Sequence, residues 1–217
     1  MDKATQQQID IIMHEIDVRH RSKDDGQSIP LGISNRHIHL SQKDMEVLFG
    51  VGYALTTLRP LGQPSQFAAK ETLCIASYRG CFDRVRVLGP VRPQSQIEIS
   101  RTDAYALGVK PPVRLSGDLE GSADLCVIGP AGMLVFVEKV IIARRHIHMT
   151  PQDAARYGVR DGEAVTAQAV SERTCLYRDV AVRVSPEAAL ELHLDTDEAN
   201  AADLANGCLF SITGKNT

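Results

Sequence analysis

A chain of 217 residues is long enough for one large domain or two small ones. With 43% hydrophobic and 24% charged residues and a net charge of −3, it has a globular balance. There is no basic surplus to meet a nucleic-acid backbone and no tryptophan to stack on bases. Its longest apolar runs, residues 133–137 and 140–143, are far too short to cross a bilayer.

Five scattered cysteines (Cys74, Cys81, Cys126, Cys175, Cys208) with no C-x-x-C motif suit a reducing compartment. Each reads first as a quiet structural thiol. The N-terminus is polar and lacks the apolar stretch of a secretory signal. Residues 1–20 predict a short amphipathic helix, because Ile9, Ile12, Met13 and Ile16 recur at three- and four-residue spacing. Residues 21–29, polar from Arg21 to Ser28, predict a linker. The helix needs a surface to bury its stripe, either on its own domain or in a partner's groove. His14 and His20 read as surface residues.

Pro30 to Leu40 predicts one strand, carrying Arg36-His37-Ile38-His39. The pattern returns as Arg145-His146-Ile147-His148, and a repeat of this kind implies a duplicated unit. Each copy continues into a helix start. Ser41 and Asp44 resemble a capping box, and Thr150 and Asp153 repeat it with Pro151 at the first helical position. The helices are expected to stop near Phe49-Gly50 and Tyr157-Gly158, with glycine in the left-handed conformation. Asp103-Ala104 to Gly108-Val109 echoes Asp153-Ala154 to Gly158-Val159. Between the helices lie short alternating runs: residues 85–88, 96–99, 180–184 and 190–194. Many short strands punctuated by Gly and Pro indicate a mainly β protein. The expected architecture is two small β-barrel domains with short capping α-helices, internally duplicated, preceded by the N-terminal amphipathic helix.

In a strand, alternate side chains share a face, so each His-x-His aims two imidazoles the same way. Neutral imidazole is a common metal ligand. Glu98 and His193 interrupt apolar alternation in corresponding places, each followed by Thr-Asp, and read as counterparts in the two halves. His37, His39, Glu98, His146, His148 and His193 together exceed the ligand set of one zinc and fit two adjacent ions. Nitrogen and oxygen donors favour zinc, with manganese, iron and nickel left open. Asp195 and Asp197 could orient imidazoles or cap a helix. Arg92, after the Gly89-Pro90 turn, offers a planar fork for phosphate, whereas Arg36 and Arg145 should point away from the donors by alternation.

Residues 32–41, 96–104, 145–149 and 193–200 resemble the microcompartment-associated phosphate propanoyltransferases, a type of phosphotransacylase. The resemblance runs from Ile29 to about Phe210. It implies two β-barrels with the first strand placed in the C-terminal barrel: residues 30–35 with 144–217 as one, 36–143 as the other, and the active site between them. It implies a pair of zinc ions on the six residues above, and a phosphate contact at Arg92. The implied reaction converts a short-chain acyl-CoA, propanoyl or acetyl, and inorganic phosphate to acyl phosphate and CoA. Residues 1–20 resemble the family's encapsulation peptide, which implies shell or lumen proteins of a bacterial microcompartment as partners and its lumen as location. Self-association into a homo-oligomer is left open. One departure is Ser65, where a glycine is more usual. Two rival readings share the ligand set: a dinuclear metal-dependent thioester or ester hydrolase, and a non-catalytic metal-binding protein of the microcompartment lumen.

Overall fold

The computed structural model describes residues 28–169, 171 and 173–215. The segment 1–20, His14 and His20, and all but the end of the 21–29 linker lie outside the described residues. The first copy of the duplicated unit runs β1 (Ile29–Ser34), β2 (His37–His39), α1 (Gln42–Phe49), β3 (Thr57–Pro60), β4 (Phe67–Ala76), β5 (Cys81–Gly89), β6 (Gln96–Glu98), α2 (Arg101–Leu107), β7 (Val113–Arg114) and β8 (Ala123–Ile128). The second runs β9 (Met133–Ala143), β10 (His146–Met149), α3 (Pro151–Tyr157), β11 (Ala164–Ala169), β12 (Leu176–Val184), β13 (Glu191–Asp195), α4 (Thr196–Ala201) and β14 (Leu209–Lys215). No helix among the described residues is long and apolar enough to cross a membrane.

These strands close two six-stranded barrels. The first has the order β1-β13-β10-β12-β11-β14. The second closes as β9-β6-β2-β5-β4-β8, with β3 added on β4 and β7 on β9. The pairings correspond one for one. β10 lies parallel to β12 and antiparallel to β13, as β2 lies parallel to β5 and antiparallel to β6. β1 lies parallel to β13 and antiparallel to β14, as β9 lies parallel to β6 and antiparallel to β8. The leading strand of each copy therefore sits in the barrel built by the other copy, and the exchange is reciprocal.

This corrects the reading of Pro30–Leu40 as one strand. β1 ends at Ser34, still paired with Asp195, and Asn35 and Arg36 carry the chain across. His37 then pairs with Arg86 and Glu98 in the other barrel. The side-chain alternation changes phase at this crossing, from odd-numbered core residues to even-numbered ones. Ile29 and Leu31 enter one core, Ile38 and Leu40 the other.

Behind each His-x-His strand an isoleucine is fully buried: Ile38 and Ile147 are both 0% exposed. Each burial contributes roughly 1.5–3 kcal/mol and pins the face its strand turns to the core. The capping residues act as read from the sequence at α3, where Thr150 and Asp153 form a full capping box after which Pro151 begins the helix. At α1, Ser41 accepts from the Asp44 amide, but the Asp44 carboxylate turns away to Ser95 Oγ (2.5 Å) and Lys139 Nζ (3.0 Å). Gly158 ends α3 in the left-handed region at φ 63°. Gly50 does not: at φ 110° and ψ 155° it leads into a turn in which Tyr53 N–H donates to its carbonyl.

Ser65 sits at φ 62° in the β3–β4 loop, a conformation costly for a residue with a Cβ. Ser65→Gly is expected to stabilise the protein by about 1 kcal/mol and to raise Tm by about 2–4 °C in a thermal melt. Burial raises the Asp44 carboxyl, but Ser95 and Lys139 outweigh it and hold the group below its ordinary value. A depressed carboxyl contributes stability above its unfolded pKa, and that contribution disappears as pH falls through the folded one. Asp44→Asn should therefore cost about 1–3 kcal/mol in urea titrations at pH 7. The gap from the parent should close as the titrations are taken into the acid range.

Candidate metal centre

A cleft of about 1310 Å³ opens between the barrels, and His37, His39, Glu98, Arg92, His146, His148 and His193 all line it. They arrive there by register. His37 on β2 lies opposite Glu98 on β6, and His146 on β10 lies opposite His193 on β13. Glu98 and His193 are thus counterparts by strand pairing, as their sequence contexts suggest. The donor atoms form two groups, His37/His39/Glu98 and His146/His148/His193, each within 4.8 Å. Electrostatic coupling between Glu98 and His146 links the groups across the cleft.

Several features fit these groups to divalent cations. His37 Nδ1 lies 2.8 Å from the Asn35 carbonyl, and His146 Nδ1 lies 2.8 Å from the Arg144 carbonyl. A carbonyl can only accept, so each Nδ1 carries the proton and each Nε2 keeps its lone pair. Both carbonyls belong to the peptides that cross between barrels. Nε2 of His146 and of His148 are 3.1 Å apart, close to the roughly 3.3 Å expected for two nitrogens on one tetrahedral zinc. His39 is 2% exposed, and its Nδ1 meets no partner at full hydrogen-bond geometry, the Leu88 backbone being the polar neighbour that acts on the ring.

The electrostatics agree. Burial, with His37 adding to it, holds His39 well below its ordinary value. Burial and His193 press His146 to about 4, and burial with His146 and His193 presses His148 to about 3. These rings are neutral at physiological pH and need shed no proton to ligate a metal. Glu98 is the reverse case. Burial raises it, but His37, His39 and the positive charge of Arg92 prevail, and it settles at about 2, ionised.

A hydrogen-bonded chain fixes the second-barrel group. Gln96 donates to Glu98 Oε1 at 2.5 Å and to Ser116 Oγ at 2.8 Å, and it accepts from the Gly117 amide. Ser116 in turn receives Arg92 Nη1 at 3.0 Å. In the other group, Glu191 Oε2 accepts from His193 Nε2 at 2.7 Å, and Gln63 reaches over from the second barrel to donate to the same oxygen at 3.1 Å. Gly32 and Gly62 make room for this carboxylate. A Cβ on Gly32 would come within 2.9 Å of it, and one on Gly62 would overlap it.

Gln96, Glu191 and Gln63 were not singled out by sequence reasoning. The signal existed for two of them: Gln96 and Glu191 stand two residues before Glu98 and His193, hence on the same strand face. Arg183 was missed as well. It pairs with His148, lines the cleft, and its charge joins burial in lowering Arg92. The structure also settles the alternatives for Asp195 and Asp197. Asp195 caps α4, accepting from Glu198 N–H, and Asp197 accepts from Thr102 N–H across the barrels at 2.7 Å. Arg36 and Arg145 ion-pair with Asp103 and Glu198, at 2.6 and 2.8 Å, instead of joining the donors.

Comparison with known proteins agrees with this construction. A family model described as phosphate propanoyltransferase matches residues 30–205. A phosphate propanoyltransferase of Thermotoga maritima is 52% identical over 204 residues, covering 94% of this chain and 97% of its own length. Those of Shewanella putrefaciens and Rhodobacter capsulatus are 51% and 47% identical, covering 83% and 85% of this chain and 86% of each relative. With two barrels, the duplicated donor strands and a match over most of its length, the chain belongs to the phosphate propanoyltransferase family of acyltransferases.

Proposed function

We propose that this cleft converts a short-chain acyl-CoA, propanoyl-CoA or acetyl-CoA, and inorganic phosphate to acyl phosphate and CoA. Two divalent cations of the zinc type would be held there, one by His37, His39 and Glu98, the other by His146, His148 and His193. The observation that carries the reading is the meeting of both donor groups with Arg92 in one cleft of a family member. The two domains flanking the site would be residues 30–35 with 144–217, and residues 36–143.

When bound, the cations supply Lewis acidity toward the thioester carbonyl and the departing sulfur. The protein groups do the rest. Arg92, steadied by Ser116, presents its fork to the phosphate oxygens, and Arg183 adds a second positive charge. Neutralised in this way, a phosphate oxygen can approach the carbonyl carbon in a fixed geometry. The carbon–oxygen bond forms, the carbon–sulfur bond breaks, and CoA leaves as thiolate. Phosphate itself is the nucleophile in this scheme, and Arg92 and Arg183 line the cleft where it would be held. The cleft volume exceeds the roughly 300–1,000 Å³ usual for small ligands and suits a long nucleotide thioester.

Thiol release from propanoyl-CoA should require added phosphate and should stop when the protein is stripped by a chelator. His146→Ala should lose one equivalent of metal and lower turnover by about 10²–10³-fold or more. Thiol release that continues without phosphate would replace this reading with a metal-dependent hydrolase. No turnover of any acyl-CoA by the metal-loaded protein would leave a metal-binding protein of the microcompartment lumen.

The same reading places the enzyme in a bacterial microcompartment, with Ile9, Ile12, Met13 and Ile16 of residues 1–20 docking on a shell or lumen protein. Deleting residues 1–20 should release the protein from purified shells while full activity remains. Retention in the shells would refute this role.

A further inference from the structure

On the outer wall of the second barrel, away from the cleft, two thiols and a carboxylate meet at the β4–β5 hairpin. Sγ of Cys74, Sγ of Cys81 and a carboxylate oxygen of Asp83 lie within 4.8 Å of one another. None of the three lines the cleft. A β-bulge builds the cluster. Leu73 pairs with Val85 and Ile75 with Phe82, so Asp83 and Arg84 together oppose the single residue Cys74. Arg84 takes up the extra length at φ 54°. Bulges re-aim side chains, and this one brings Asp83 onto the Cys74 thiol, which also touches Cys81. Ile75, between the two sides of the hairpin, is 0% exposed and faces the core, leaving Cys74 on the outer face.

The arrangement suits a metal better than a disulfide. Cys81 pairs with Ala76, so it stands diagonal to Cys74. Diagonal neighbours in antiparallel strands have Cα atoms about 7–8 Å apart, beyond the roughly 4.4–6.8 Å that a disulfide spans. An ion with bonds of about 2.3 Å to each sulfur bridges that gap. Thiolates select zinc-like ions over magnesium or calcium.

We propose that Cys74, Cys81 and Asp83 form a surface site for a thiophilic divalent cation of the zinc class, separate from the donors in the cleft. Cys81 and Asp83 are exposed, so water can complete the coordination. The site would clamp a hairpin that leans on the catalytic half of the barrel. Ser77 Oγ in its turn donates to the Leu107 carbonyl at the end of α2, and Tyr78 OH donates to the Gly108 carbonyl at 3.3 Å. Phe82, between Cys81 and Asp83, lies 4.3 Å beneath the Arg36 guanidinium, next in sequence to His37. Without a cation the Cys74 thiol is quiet: burial, Asp83 and Cys81 push it up to about 12.

The cleft donors contain no sulfur, so a sulfur-to-metal band is independent of the cleft, and its dependence on Cys81 separates this site from Cys126, Cys175 and Cys208. Full-length protein, reduced and stripped of metal, is titrated with Cd²⁺ and followed by ultraviolet absorption. A sulfur–cadmium band should saturate and should be lost in Cys81→Ser. That variant changes an exposed residue, and it should keep the parent's melting temperature in the stripped state and its phosphorolysis when reloaded with zinc. Asp83→Asn, which keeps both thiols, should weaken the cadmium affinity about tenfold or more with the band retained at saturation. Absence of the band in the parent, or its persistence in Cys81→Ser, overturns the proposal. So does loss of two free thiols, dependent on Cys74 and Cys81, on incubation with glutathione disulfide, since that would make the pair a disulfide.

Discussion

Lone pairs withdrawn from water govern this molecule. Five imidazoles and a carboxylate are brought to the mouths of two barrels, and His37, His39, Glu98 and His146 are each less than 9% exposed there. Buried rings of this kind cannot carry protons cheaply, and the carboxylate cannot give up its charge beside Arg92. The result is that His39, His146 and His148 stand as neutral nitrogen donors in the same cleft as one anionic oxygen. Such a cluster is under-satisfied as a piece of protein and well matched as a ligand shell. The neighbouring guanidiniums extend the same logic, since a cleft rich in positive charge welcomes an oxyanion.

Holding those lone pairs in place is left to backbone and small residues. The carbonyls of Asn35 and Arg144 fix the tautomers of His37 and His146 at equal distances in the two copies. The symmetry then breaks where the chemistry differs. His37 faces Glu98, whereas His146 faces His193, and the partner residues Gln96 and Glu191 differ in the opposite sense, the carboxylate lying in front in one group and behind in the other. One group is negatively charged at its core and the other is charged only through Glu191 behind an imidazole. On the proposed dinuclear reading, the two groups would therefore bind cations with unequal strength.

Much of this was legible in the sequence because a period of two and a duplication reinforce each other. The His-x-His pairs, Glu98 and His193 stood out as polar side chains within apolar alternation, and their repetition made chance a poor explanation. The helix caps were legible for the same local reason, down to Pro151. What escaped depends on partners distant in sequence. Across Asn35 and Arg36 the apolar phase shifts from Leu31 and Ile33 to Ile38 and Leu40, but a bulge within one strand leaves the same mark, so the change of sheets depends on the distant pairing. Arg183 looks like any arginine on a strand until its pairing with His148 is known. Gly50 and Gly158 carry the same local signal, and only the path of the following chain gives them different conformations.

The reciprocal exchange of β1 and β9 has a mechanical consequence. Each barrel owns five of its strands from one copy and borrows the sixth, so neither wall can close without the other half of the chain. The two peptides that make the crossings, at residues 35–36 and 144–145, run directly into His37 and His146. Gaping of the barrels like a hinge would have to stretch both peptides or peel a strand from its sheet. The span between the donor groups is thereby restrained by covalent chain at two points, like a double-stitched seam.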